Sequence, residues 1–170
     1  MCYFLYLASP LTLSEIRSML PPGVTADLAS YAAQQTFKAA HRNAQTVAVA
    51  LVGRCSCDLV RQRLPVAKDD ERHLRDRYRK LGVPREAVIQ ALERHRHGRR
   101  NHDEYTARVL VEFVTEHARN AGASLYYLHF SPQGEPPVRL APPQQITPAQ
   151  IAESPERWLA EGVPVLVTRS

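Results

Sequence analysis

The sequence predicts an α/β or α+β fold, a single domain with a small mixed sheet built from N- and C-terminal strands around a central helical block. Three observations lead there. Apolar runs of strand length, rich in β-branched and aromatic residues, occupy positions 2–8, 46–52, 125–130 and 163–167. Helical periodicity fills the interval 68–121. The chain of 170 residues matches one ordinary domain, so 1–170 reads as a single globular unit with 68–121 a helical block within it.

Each element follows in order. Residues 2–8 read as a buried strand stopped by Ser9-Pro10. Thr12 and Glu15 have the capping-box spacing and open a short helix, which Pro21-Pro22-Gly23 ends. Residues 25–40, rich in Ala and Gln, predict a helix with Leu28, Tyr31 and Phe37 available for packing. The Val/Ala/Leu run 46–52, bounded by Gly53, predicts a second buried strand, and a polar patch from Arg54 to Asp58 follows it. In 68–81, Leu74, Tyr78 and Leu81 recur at i, i+4 and i+7. Gly82 breaks that helix, and Pro84 stands at the first position of the next, whose buried side is Val88, Ala91 and Leu92.

Residues 94–103 hold no apolar side chain and predict an exposed loop or frayed helix end. Residues 105–120 predict a third helix, with Val109, Phe113, Val114 and His117 on one side and Gly122 closing it. His117, on an apolar side, is expected to be a hydrogen-bonded core histidine. After the strand 125–130 comes a turn around Gly134, with 138–141 able to pair back as a hairpin. Thr147 and Gln150 repeat the capping-box spacing and start a helix that breaks and restarts at Ser154-Pro155. Trp158 is its packing anchor, and 163–167 is the last strand.

Composition excludes several classes. With 44% hydrophobic and 23% charged residues the chain is neither disordered nor collagen-like. It has no apolar stretch of membrane-spanning length. The apolar start lacks the positive region of a signal peptide, and Thr12, Ser14, Glu15 and Arg17 end its run, so a cytoplasmic protein without a membrane partner is expected. The glycines are scattered singly and form no phosphate loop, and neither G-x-S-x-G nor H-E-x-x-H occurs.

Charge carries the leading functional expectation. Between Arg61 and Arg100 there are 13 Lys or Arg against 6 Asp or Glu, whereas the remaining residues hold 9 against 11. The whole positive surplus therefore lies in one segment, which suits a polyanion-facing surface. Within it, Leu81, Gly82 and Val83 followed by Val88, Ala91 and Leu92 resemble the turn and recognition helix of the helix-turn-helix in bacterial transcription regulators. That resemblance implies base contacts from Arg85, Glu86 and Gln90, and phosphate contacts from Arg75, Arg79 and Lys80. Tyr78 and Arg77 depart from the pattern, which favours a small and a buried residue there. Adding Arg94, Arg96, Arg99 and Arg100, the segment 72–100 reads as a polyanion-binding module whose partner is nucleic acid or an acidic protein. The plain alternative is a solvated helix with i, i+4 pairs such as Asp76–Lys80, in a structural or protein-interaction domain.

The cysteines offer a different class. Cys55 and Cys57 at a strand end, with Cys2 on another strand and His41 or His129 nearby, are a possible thiolate/imidazole set for zinc or iron, or a redox pair. Otherwise no cofactor is expected. Removal of Met1 would make Cys2 an N-terminal nucleophile of the kind amidotransferase-type hydrolases use, but those place glycine after the cysteine where this chain has Tyr3. No catalytic residue is assigned, and a non-enzyme is the expectation.

Overall fold

The computed structural model describes residues 2–52, 56, 57, 59, 72, 75, 76, 79, 84–131, 136–155 and 158–169, excluding the side chains of 91 and 94–107. Strand β1 (Cys2–Ser9) is followed by helix α1 (Leu13–Met19), β2 (Thr25–Leu28), α2 (Tyr31–Ala40) and β3 (Thr46–Leu51). Then come α3 (Arg85–Ala121), β4 (Ala123–Ser131), β5 (Gln144–Ile146), α4 (Pro148–Glu153) and β6 (Val165–Thr168). Arg72, Arg75, Asp76 and Arg79 are also helical.

The six strands form one mixed sheet in the order β2-β3-β1-β4-β6-β5, and only β5 and β6 run parallel. β1 lies centrally because both its faces are apolar: Leu5 and Leu7 point one way, Tyr6 and Ala8 the other. The first face buries Leu5, Leu7, Tyr126, Leu128, Val165 and Val167 under Ile16 of α1, Phe113 and Val114 of α3, and Ile151 of α4. The second face buries Tyr6, Val47, Leu125 and Tyr127 under Ala33 and Phe37 of α2. The result is a helix–sheet–helix sandwich, the single α/β domain with a mixed sheet that the chain ends predict.

Both capping boxes form, Thr12 with Glu15 and Thr147 with Gln150. Four local expectations are corrected. Residues 25–28 are a strand: Ala26 and Ala50 pair in the core, and this pairing outweighs the helix propensity of the alanines. Ser30 caps a helix that starts only afterwards. Residues 94–103 are helical, inside one 37-residue helix. With helix on both sides and no proline between, breaking the run would forfeit hydrogen bonds and require a second nucleation. Residues 138–141 form no strand. Pro136, Pro137, Pro142 and Pro143 lack N–H donors, and the strand falls instead at β5. Trp158 is buried but lies beyond α4, which stops at Ser154 because Pro155 disfavours helical geometry in the residue before it. The turn at 81–83 and the turn around Gly134 lie outside the described residues.

Among the described residues no helix is long and apolar enough to cross a membrane.

Candidate functional site

Three chemically distinct places stand out among the described residues, and the first is a basic groove. Arg85, Val88, Ile89 and Leu92 fall at i, i+3, i+4 and i+7, one face of the first turns of α3. Opposite them stand Arg75 and Arg79, an i, i+4 pair on the helical segment before Pro84. Together these six residues line a cavity of about 510 Å³. Its floor is aliphatic: Leu92 is buried, Val88 half-buried and Ile89 exposed. Its rim is cationic. Arg79 lies 3.8 Å from Asp76, a solvent-exposed contact that costs the rim little of its charge. Pro84, at the N-cap, makes no side-chain cap, and the positive end of the α3 dipole adds to the potential there, opposed locally by Glu86.

Of the sequence-predicted nucleic-acid residues, Arg75, Arg79 and Arg85 are therefore brought together. Gln90 lies five positions after Arg85, about 140° around the helix, and so off the face that lines the groove. Arg94, Arg96, Arg99 and Arg100 lie along α3, but their side chains, like Lys80, lie outside the described residues. Sequence reasoning missed Ile89, although its i+4 spacing from Arg85 was a usable signal.

The second place is a thiol corner where β3 stops short of the end of β1. There the chain continues the sheet edge by other means. Ser56 N–H donates to the Tyr3 carbonyl at 2.8 Å, and Leu5 N–H donates to Ser56 Oγ at 2.7 Å. Ser56 Oγ donates in turn to the Ala50 carbonyl. Tyr3 N–H donates to Cys57 Sγ at 3.3 Å. Tyr3 itself reaches across β4, packs its ring at a tilt of 52° against Phe130 with centroids 5.0 Å apart, and donates its hydroxyl to Glu161 at 3.2 Å. Burial, and then the Glu161 carboxylate, push that hydroxyl's pKa up.

The candidate metal ligands divide between the ends of the sheet. Cys2 pairs with Ser131 and Phe4 with His129, so Cys2 and His129 share one face as diagonal neighbours, about 7 Å apart. His129 stacks on Tyr127, ring centroids 5.9 Å apart. His41 is the C-cap of α2 beside the backbone of Ala123. That is six residues from His129 along β4, about 20 Å away. Cys55 lies outside the described residues, and among those described no three His, Cys, Asp or Glu converge.

The third place is the buried row Ser9, His117 and Tyr126. Ser9 Oγ lies 2.8 Å from His117 Nε2, and Tyr126 Oη lies 2.6 Å from Nδ1. Burial lowers the His117 pKa to about 4, so the ring is neutral at neutral pH, with one nitrogen donating and the other accepting. The Ser9–His117 separation is that of a nucleophile and its base. All three side chains are fully buried, however, out of reach of any substrate, and the row binds α3 to the sheet. His117 is the core histidine its helix position predicts.

Comparison of the chain with protein-family models, with characterised proteins and with solved structures finds no match.

Proposed function

We propose that this protein is a polyanion-binding module whose ligand is nucleic acid, held by the basic segment 72–100 at the groove between Arg75, Arg79 and Arg85. One observation carries this reading: three arginines from two helical segments rim a cavity with an aliphatic floor. Guanidinium groups suit phosphate oxygens, and the floor suits the apolar face of a base or sugar. The concentration of the chain's positive surplus in the same segment supports it.

The test is a salt-titrated binding assay against duplex and single-stranded DNA and RNA. Affinity should fall by about 0.9 log units per log salt for each phosphate neutralised. Replacing Arg75, Arg79 and Arg85 by Ser should flatten that slope by about 2 to 3 units, and replacing Arg94, Arg96, Arg99 and Arg100 should flatten it further. Changes at Arg85 or Gln90 alter sequence preference only where the start of α3 enters the major groove. If the wild type fails to bind even at low ionic strength, the segment is a solvated face. The chain is then a structural or protein-interaction domain.

A further inference from the structure

We propose that Cys2 and Cys57 are an oxidisable pair, which hydrogen peroxide closes into an intramolecular disulfide. The inference is independent of nucleic-acid binding and stands on the thiol corner alone. Both cysteines are reduced and half-buried, so a small oxidant can reach them. Their proximity follows from a backbone contact. Cys57 Sγ accepts the amide of Tyr3, the residue after Cys2, at 3.3 Å. Standard peptide dimensions then put that sulfur about 4–6 Å from Cα of Cys2, against roughly 4 Å in a formed disulfide.

The positions are fixed on both sides. Cys2 is paired to Ser131 in the ladder. Cys57 is held between Ser56, whose amide and hydroxyl are tied to β1 and β3, and Leu59, buried in the core. Closure therefore asks for side-chain rotation and a small approach, with no strand displaced.

The chemistry balances with peroxide as the named oxidant. The amide donor favours negative charge on Cys57 Sγ. That thiolate attacks one peroxide oxygen, the O–O bond breaks, and a sulfenic acid forms with release of hydroxide, which takes up a proton to become water. The Cys2 sulfur then attacks the sulfenic sulfur, the S–S bond forms as the S–O bond breaks, and the proton given up by the Cys2 thiol goes to the departing hydroxide, which leaves as a second water. Two thiols and one peroxide give one disulfide and two waters.

The experiment treats the reduced full-length protein with stoichiometric peroxide, blocks remaining thiols, digests without reductant and identifies linked peptides by mass. The expected product is one link, between Cys2 and Cys57, reversed by dithiothreitol. It persists in Cys55→Ser and is lost in Cys2→Ser and in Cys57→Ser. The oxidised protein should melt several degrees higher, because the link closes the long loop 2–57. Circular dichroism of the reduced variants checks their folding, and should Cys57→Ser misfold, Cys2→Ser decides alone because it leaves the Ser56–Cys57 anchor in place. Three thiols still open to alkylation after peroxide, a Cys55–Cys57 link, or a link only between molecules each overturns the proposal.

Discussion

His117 ties the acid sensitivity of the fold to one ring. Its pKa is about 4 in the folded protein against about 6.5 unfolded, so between those values the unfolded chain binds a proton that the native protein refuses. Stability is therefore lost as pH falls from 6.5 towards 4, by about 3 kcal/mol at the lower end. His41, also lowered by burial, adds in the same direction. Urea midpoints from pH 7 to 4.5 measure the slope. His117→Phe should be less stable at pH 7, by about 1–3 kcal/mol for each polar partner left unsatisfied at Ser9 and Tyr126, yet show a shallower pH dependence. Equal slopes in variant and wild type would sink the assignment. The place of His117 was legible from the apolar side of its helix. Ser9 as a partner was not, because 108 residues separate the two and no local pattern marks that contact.

Among the elements, α3 departs furthest from its sequence. At 1.5 Å per residue, 37 residues span about 55 Å, while the nine of β4 span about 30 Å, so the helix outruns the sheet. The described side chains with which it enters the core over the sheet, Leu110, Phe113, Val114 and Ala118, all lie in its last third. Phe113→Ala should accordingly cost about 3–5 kcal/mol, whereas Ile89→Ala should change thermal stability by under about 1 kcal/mol. At the far end, Gly122 has φ of 76° and open space around its absent Cβ. Gly122→Ala should then lose about 1–2 kcal/mol from backbone strain alone, measured by the same denaturation. The ends of the helix were legible from Pro84 and Gly122. Its unbroken middle was not, because a polar stretch with no apolar periodicity reads as loop until the two flanking helices are known to be collinear. β2 escaped for the opposite reason, its strand character residing in its partner β3.

For the whole molecule, the core is neutral ground and the charge is segregated. The apolar runs that predict strands lie in the sheet, while the basic surplus falls in the segment of sequence between β3 and β4. Replacing the groove arginines should thus alter ligand affinity and leave the unfolding midpoint nearly unchanged, a separation that parallel binding and melting measurements check. The groove was partly legible, since the helix-turn-helix pattern singled out Arg75, Arg79 and Arg85. The thiol corner was legible only as a cysteine-rich patch. That Ser56 and Cys57 dock beside Tyr3 depends on β3 ending before β1 does, a matter of strand length that composition does not encode.

The central place of β1 also sets the order in which the fold can be completed. Its partner β3 emerges from the ribosome soon after it, but the ladder on its other side runs from Cys2↔Ser131 to Ala8↔Leu125 and waits for β4. At roughly 5–20 residues per second, that delay is on the order of ten seconds. Throughout it one edge of an apolar strand stands open, able to pair with another nascent chain. Translation speed across 52–122 and access of a holdase chaperone to that edge should therefore govern how much of this protein reaches its native sheet.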